Sequence, residues 1–241
     1  DLNARRDAVY ALADLGEKAS PAVPALTYLI EDKDQQIWFQ STMALARIGP
    51  DAEAAIPKLL GKLGDRDEQR RYRTAYCLGK IGPASITPLL KQLKEGDRNQ
   101  RESVARALAW MGPKAAPAMS ALITLLGDED PLVRQQASFA LGSLGEAAEQ
   151  PLNLTLSNES STTRESAALA LAEVGAASQA TLKNLQSLMS DPSSQVRVAG
   201  LRALANSTIR VEQLIPIIRT ALEDPDGLSL IHISEPTRRP I

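Results

Sequence analysis

Aromatic side chains are scarce in this sequence, and so are the residues that carry out most nucleophilic and metal chemistry. Phe, Trp and Tyr together make up 3% of the 241 residues, and there is one cysteine, Cys77, and one histidine, His232. A single cysteine forms no internal disulfide, and one Cys with one His cannot make a Cys/His metal cluster. With few aromatics among 44% hydrophobic residues, the core must be aliphatic, in thin layers of Ala and Leu.

Other absences concern membranes and catalysis. No apolar run approaches the roughly 18 residues that are needed to cross a bilayer, and no signal peptide opens the chain. No glycine-rich phosphate loop is found, and the acidic residues are spread so widely that no acid/base pair stands out. Cys77 stands at a core position, where it is expected to be a small buried hydrophobe. We therefore expect a cytoplasmic protein that is not an enzyme and needs no cofactor or metal.

A pattern of leucine, with a small residue four positions earlier and a glycine four positions later, recurs along the chain. The leucines are spaced by 30 or 33 residues and lie at Leu12, Leu45, Leu78, Leu108, Leu141, Leu171 and Leu204; only the last copy, with Thr208, lacks the glycine. Self-similarity at such a period is typical of stacked repeats, in which each unit contacts its neighbours. The sequence predicts one elongated domain of about seven repeats of 30–33 residues, covering residues 1–226.

Each repeat has the pattern of two helices. In the fifth copy, Val133, Ala137 and Leu141 lie on one stripe at helical spacing, and Gly145 follows where a left-handed cap would end the helix. A second apolar run comes after the glycine, such as "MSALITLL" at 119–126, and ends near an acidic residue or Asn. No segment alternates as a strand does. The pattern predicts an all-α fold, an α-solenoid of stacked antiparallel helix pairs.

One complete copy is "DEDPLVRQQASFALGSLG" at 128–145, with Asp first, Arg six residues later, then the small residue, Ala-Leu and Gly. This pattern resembles the short bacterial type of HEAT repeat, which also occurs in phycobilin lyases. The resemblance covers residues 1 to about 226. It implies a HEAT-like superhelix, and it leaves the function open because such repeats occur in many proteins that are not enzymes.

One arginine per repeat lies seven residues before the leucine, near the core side of the helix, where an unpaired charge is costly. An acceptor stands six residues before five of these arginines. The pairs are Asp65 and Arg71, Glu95 and Arg101, Asp128 and Arg134, Asn158 and Arg164, and Asp191 and Arg197. In similar HEAT repeats these positions form a structural ladder between adjacent units; a phosphate-binding row is the alternative. Trp38 takes the arginine position of the second repeat and should interrupt the ladder.

The opposite side of the first helix in each repeat is the candidate binding face. Positions six before, two before and two after the leucine point about 120° to 200° away from it, onto the exposed inner surface of the stack. Six of the eight aromatic residues occupy these positions. The predicted partner-binding residues are Tyr10, Phe39, Met43, Arg47, Tyr72, Tyr76, Lys80, Arg106, Trp110 and Phe139.

Aromatic residues beside Arg and Met are enriched at protein-binding hot spots, which predicts a scaffold or adaptor that binds a partner protein or peptide on this concave face. Alternatively, the large side chains only fill grooves between neighbouring helices. A different function, that of a phycobilin-lyase-like subunit, would stack a bilin on the aromatics and pair its propionates with Arg47, Lys80 or Arg106. Nucleic acid is disfavoured because the chain has a net charge of −2 and the face turns acidic at Glu165 and Glu173.

Both ends of the sequence depart from the repeat. The chain starts inside a first helix and without Met, so we expect a truncated N-terminus. At the other end the register predicts Arg at position 230, where the sequence has Leu230. The run "LSLIHISEPTRRPI" resembles the conceptual translation of a sequencing adapter. We expect the non-repeat tail, residues 227–241, to be a sequencing or cloning artefact without a function.

Overall fold

In the described residues, the first five sequence repeats each fold into two α-helices that are joined by a short 3-10 segment, and the sixth also has two α-helices. This computed structural model describes residues 1–175 and 178–207, and beyond them only residues 212, 215, 216 and 219. Within these residues all regular secondary structure is helical, which confirms the all-α prediction. The predicted artefactual tail and His232 lie outside the described residues.

The odd-numbered helices are the first helices of the repeats, which carry the leucine of the repeat pattern, and the even-numbered ones are the second helices. The helices are α1 (Leu2–Leu15), α2 (Val23–Leu29), α3 (Gln35–Ile48), α4 (Ile56–Leu60), α5 (Glu68–Ile81), α6 (Ile86–Glu95), α7 (Arg98–Met111), α8 (Met119–Leu125), α9 (Pro131–Ser143), α10 (Glu149–Thr155), α11 (Ser161–Val174), α12 (Gln179–Ser187) and α13 (Ser194–Asn206). The repeat leucines from Leu45 to Leu204 are at most 1% exposed, whereas Leu12 is partly exposed.

Most first helices begin at a side chain that caps their free amides. Asp67 accepts a hydrogen bond from the amide of Gln69 at the start of α5, and Asp97 caps α7 in the same way. Such caps satisfy backbone donors that have no partner within the helix. The carboxylate of Asp65, two residues before the cap, accepts from the amide of Asp67 and shapes the turn that leads into α5. The recurring acidic residues therefore set where a helix starts.

Glycine ends the first helices, as predicted, although mostly in a different conformation from the one expected. Gly175 has the dihedral angles of a left-handed cap. Gly49 has φ of 71° and ψ of −133°, and Gly82 is similar, with φ of 90° and ψ of −145°. This region is closed to residues with a Cβ, so the chain needs glycine to turn from the first helix into the 3-10 segment.

The helices pack into two units, Asp1–Ala121 and the residues from Leu122 onward. In the first unit, α1 packs on α3, α3 on α5 and α5 on α7, while α2 and α6 pack against α3 and α7. In the second unit, α9 packs on α11 and α11 on α13, while α10 and α12 pack against α11 and α13. Each unit is a stack of helix pairs, as in an α-solenoid. A single domain over residues 1–226 stays a prediction.

Successive first helices approach each other closely because the residue after each repeat leucine is Ala or Gly. In the first unit, a Cβ on Gly79 would lie 2.6 Å from the Cβ of Trp110 and 2.7 Å from the carbonyl oxygen of Ala107. In the second unit, a Cβ on Gly142 would overlap with the Cβ of Glu173. The short distance between α5 and α7 brings their outward side chains into one surface.

Candidate functional site

The first helices carry the predicted partner-binding residues on their less buried side. Tyr72 and Trp110 are 38% and 39% exposed, and Lys80 is also exposed. Phe39 and Tyr76 are less accessible and only partly exposed. Not every position of the predicted face is exposed. Glu102, six residues before Leu108, is buried. These exposures leave room for contact with another molecule in the first unit.

Four of the predicted residues form an aromatic cluster, consisting of Phe39 on α3, Tyr72 and Tyr76 on α5, and Trp110 on α7, together with the cations that lie over their rings. Trp110 meets Tyr76 edge to face, with ring centroids 5.1 Å apart, and it meets Tyr72 in the same way at 6.1 Å. Such T-shaped pairs add to the stabilisation that comes from burial alone. The cluster extends across three consecutive first helices.

Cations cover the faces of these rings. The guanidinium of Arg73 lies 4.4 Å from the ring centre of Phe39 and 5.7 Å from that of Tyr72, so that it bridges α3 and α5. The ammonium group of Lys80 lies 5.4 Å from the ring centre of Tyr76. Cation–π contacts of this kind hold a charged group in place without using its hydrogen-bond donors.

Arg73 is the residue of the cluster that the sequence analysis missed. It lies five residues before Leu78, between the positions that were aligned as the exposed face. At 100° per residue this position points about 140° from the leucine, well within the exposed side of α5. If the position five residues before the leucine had been added to the predicted face, the face would have included Arg73.

Two predicted cations are held in ion pairs. Arg47 donates to the carboxylate of Asp14 at 2.9 Å and to the carbonyl oxygen of Ala13 at 2.8 Å, which ties α3 to α1. Arg106 donates to Glu102 at 2.6 Å, and both side chains are almost buried, with 12% and 5% exposed. Arg106 also lies 5.5 Å from the ring centre of Tyr72, so the ion pair between Arg106 and Glu102 contacts the aromatic cluster. The Met43 sulfur lies 3.9 Å from a nitrogen of Arg73.

Two predicted residues lie apart from the cluster. Tyr10, on α1 in the first unit, is exposed, and in the described part of the chain no ring pairs with it. Phe139 belongs to α9 in the second unit and is 54% exposed. The structure therefore brings together the predicted residues of α3, α5 and α7, and leaves Tyr10 and Phe139 as separate exposed rings.

The arginines at the predicted ladder positions bind main-chain carbonyl groups within their own repeats. The distances are 2.9 Å from Arg71 to the carbonyl of Asp65, 3.4 Å from Arg101 to that of Gly96 beside Glu95, 2.8 Å from Arg134 to that of Asp128, 2.9 Å from Arg164 to that of Asn158 and 2.9 Å from Arg197 to that of Asp191. These bonds fix the turn that precedes each first helix.

Carboxylates in this row join adjacent repeats. Arg164 also donates two hydrogen bonds to Asp191 of the next repeat, at 2.8 and 2.9 Å, and Arg5 pairs with Asp32 in the same register. The hydrogen bonds and charge of Arg164 hold the pKa of Asp191 below its usual range. Arg164 thus contacts its own repeat through a carbonyl group and the next repeat through a carboxylate.

Trp38 occupies the arginine position of the second repeat, where we expected an interruption. Its side chain is buried, and Arg70 of the next first helix lies 4.9 Å from its ring centre. Its ring also meets Phe39 edge to face at 6.1 Å. A cation from the neighbouring repeat therefore contacts the second repeat at this position, so Trp38 and Arg70 supply a contact between α3 and α5 without an ion pair.

Groups for bond-breaking chemistry are few in the described residues. Cys77 is fully buried, and burial raises the pKa of its thiol, which keeps the sulfur protonated and unreactive. No three His, Cys, Asp or Glu side chains of the described residues are grouped so that they could hold a metal ion. Among the same residues, no helix has the length and apolar character that crossing a bilayer requires.

Comparison with known proteins places this fold in context. The chain is similar to the complex of CpcE and CpcF of phycocyanin lyase from Nostoc sp. PCC7120, with 20% identity and a TM-score of 0.44 over 92% of this chain and 90% of that one. It is similar to a computationally designed armadillo repeat protein for modular peptide recognition, with 21% identity and a TM-score of 0.40 over 77% and 100% of the two chains. An engineered protein matches with 23% identity and a TM-score of 0.41 over 76% and 97%.

These similarities bear on the fold alone, and no curated protein matches the sequence. The repeats themselves match the family model described as HEAT repeats over residues 1–79 and 119–205. The matched segments make up more than half of the chain and include the aromatic residues of α3 and α5. The chain therefore belongs to the HEAT repeat family.

Proposed function

We propose that this protein is a non-catalytic interaction scaffold, which binds a partner protein or peptide at the aromatic cluster of the first unit. The observation that carries the proposal is the grouping of Phe39, Tyr72, Tyr76 and Trp110 on three consecutive helices of a chain that has only eight aromatic residues. Aromatic and Arg side chains dominate the binding energy of protein interfaces. The cytoplasm is the proposed compartment.

The cluster suits binding by shape and shallow contacts. Its rings are held by edge-to-face packing and by cations, so that little side-chain entropy is lost when a partner docks. Tyr72 and Trp110 expose more than a third of their surfaces and supply the apolar contact area. Because the three helices are tied by core packing, the partner would meet a surface that is already formed.

The competing interpretation is that the rings only hold α3, α5 and α7 together. A purely structural role requires burial, and Phe39 and Tyr76 satisfy it in part. Tyr72 and Trp110 fit a purely structural role less well, because an exposed ring stabilises a fold less than a buried one. The two interpretations differ in what the loss of the exposed rings does to binding and to stability.

The bilin alternative has less support. Of the three cations that could pair with bilin propionates, Arg47 is already paired with Asp14 and Arg106 with Glu102, which leaves Lys80. It also needs open ring faces, and cations lie over the rings of Phe39 and Tyr76. A shifted visible absorbance after mixing the protein with a bilin would favour this alternative, whereas an unchanged bilin spectrum would count against it.

The decisive experiment compares two variants of the full chain as baits for binding partners. Tyr72→Ala with Trp110→Ala removes the exposed rings of the cluster, while Tyr28→Ala removes an equally large ring that is 75% exposed on α2. A captured partner is then purified and titrated against each variant. We expect the double variant to bind it at least about 30-fold more weakly, the loss of about 2 kcal/mol that defines a hot spot.

The matched control is the Tyr28→Ala protein, which should bind the partner as the wild type does. Circular dichroism at 222 nm must show equal helix content in all three proteins. Equal binding by wild type and the double variant would contradict the proposal and leave the cluster with a structural role. Loss of helix in the double variant alone would favour that structural role as well.

A further inference from the structure

We propose that the segment bound at the aromatic cluster is acidic, a stretch of polypeptide in which Asp or Glu alternates with apolar side chains. This inference rests on the proposed function and specifies its partner. It starts from three cations on α5, which are Arg70, Arg73 and Lys80, each lying over an aromatic ring. In the part of the chain that the structure describes, none of the three has a carboxylate within ion-pair distance.

The charge of this surface differs from that of the whole protein. Helices α3, α5 and α7 carry eight Lys and Arg residues but only two acidic ones, Glu68 and Glu102, although acidic residues outnumber basic ones 29 to 27 in the full sequence. Glu102 is already engaged by Arg106. The N-cap carboxylates of Asp67 and Asp97 are held by backbone amides at the helix starts. Arg70, Arg73 and Lys80 therefore give α5 an excess of positive charge that no carboxylate of the described residues neutralises by an ion pair.

The geometry of Arg73 favours a carboxylate ligand. Its guanidinium is positioned by the rings of Phe39 and Tyr72, and its one side-chain hydrogen-bond contact is with the sulfur of Met43, a weak acceptor. Most of its donors are consequently available for the paired bonds that a guanidinium makes with a carboxylate. Lys80, exposed beside Trp110, adds a second positive charge on the same helix.

Apolar side chains of the same segment would contact the exposed ring surface. Arg73 contacts the ring of Tyr72, Tyr72 contacts Trp110, and Trp110 contacts Lys80, so two partly exposed rings join the two cations and offer apolar contact beside each charge. Nucleic acid fits less well, because bases stack on open ring faces, and the faces of Phe39 and Tyr76 are covered by cations.

The test is a direct binding titration of the full chain by fluorescence anisotropy. The probes are three fluorescein-labelled peptides of equal length, with Glu and Leu, Gln and Leu, or Lys and Leu in alternation, and a labelled oligothymidylate. We expect the Glu peptide to bind at least about tenfold more tightly than the Gln peptide, and the Lys peptide to bind most weakly. The affinity for the Glu peptide should fall as salt is added.

Charge reversal locates the site. Arg73→Glu with Lys80→Glu should lower affinity for the Glu peptide by at least about tenfold and raise affinity for the Lys peptide. Lys91→Glu with Lys94→Glu makes the same charge change at exposed positions of α6 and should leave both affinities within about twofold of wild type. The neutral variant Arg73→Gln with Lys80→Gln should have an affinity for the Glu peptide between those of wild type and the charge-reversed variant. This variant keeps the test valid if charge reversal lowers the helix content.

The outcomes separate this inference from the proposed function. Equal binding of the Glu and Gln peptides, both lost with Tyr72→Ala and Trp110→Ala, would keep the site and overturn its preference for acidic partners. Tighter binding of the oligothymidylate than of any peptide would overturn the inference in favour of nucleic acid. If none of the peptides binds, both the acidic preference and the peptide-binding role of the cluster are contradicted.

Discussion

Gly79 is the residue that lets α5 and α7 approach at the aromatic cluster. A Cβ at this position would lie 2.6 Å from the Cβ of Trp110 and 2.7 Å from the carbonyl oxygen of Ala107. Both neighbours are fixed to the backbone of α7, so the helices would have to move apart. We expect Gly79→Ala to lower the free energy of unfolding by about 1–3 kcal/mol, as overpacking does, measured as a lower urea midpoint by circular dichroism.

Gly61 provides the matched control for this substitution. It lies in the turn after α4 with ordinary right-handed dihedral angles, and a Cβ there would meet the carbonyl oxygen of Lys58 at 3.5 Å, a normal contact. Gly61→Ala should therefore be neutral or stabilise the fold by up to about 1 kcal/mol, because it restricts the unfolded chain. Equal losses in the two variants would show that close helix approach is not the cause.

At the scale of elements, the start of α7 depends on a reciprocal cap. Asp97 accepts a hydrogen bond from the amide of Gln100 at 2.9 Å, and the side chain of Gln100 accepts one from the amide of Asp97 at 2.8 Å. We expect Asp97→Ala to cost about 1 kcal/mol, whereas Asp97→Asn, which retains an acceptor, should cost little. Urea midpoints of the two variants measure the difference, and equal midpoints would mean that the cap contributes nothing.

The helices could be predicted from sequence because their causes are local. The apolar spacing around Leu78, the cap at Asp67 and the glycine at Gly82 all act within one repeat, and α5 runs from Glu68 to Ile81 as they require. The sequence also predicted that consecutive repeats are neighbours in the stack, since neighbouring repeats must cover each other's apolar faces. The backbone angles at Gly82 did not follow, because the glycine pattern alone does not distinguish a left-handed cap from a turn into a 3-10 segment.

The candidate site was predictable only in part. The helical positions of Tyr72, Tyr76 and Trp110 indicated a shared face, but not that their rings would touch, which depends on the distance between α5 and α7. Side-chain partners were harder still. Arg47 reaches back to Asp14 on α1, while Arg106 binds Glu102 on its own helix. Long flexible side chains choose among several acceptors within reach, and the repeat pattern does not rank them.

At the scale of the whole molecule, the pair between Arg164 and Asp191 makes stability depend on pH. Arg164 lowers the pKa of Asp191 in the folded protein, so the carboxylate stabilises the fold above its ordinary pKa of about 3.9 and loses this contribution as the pH falls through the lowered value. Asp191→Asn should be less stable than wild type by about 1–2 kcal/mol at pH 7. The difference should shrink below about pH 4 in urea titrations, while Glu53→Gln, at an exposed position, should show no such trend.

The same variant tests whether the two units unfold together. The two tryptophans, Trp38 and Trp110, both belong to the first unit, whereas circular dichroism at 222 nm reports helices of both units. In repeat proteins a substitution acts mainly on its own repeat and the neighbouring ones, and Asp191 lies in the second unit. Asp191→Asn should therefore lower the urea midpoint measured by circular dichroism more than the midpoint measured by tryptophan fluorescence. Equal shifts by both probes would mean that the described repeats unfold as one cooperative body, because loss of one contact in the second unit would then destabilise the first unit to the same extent.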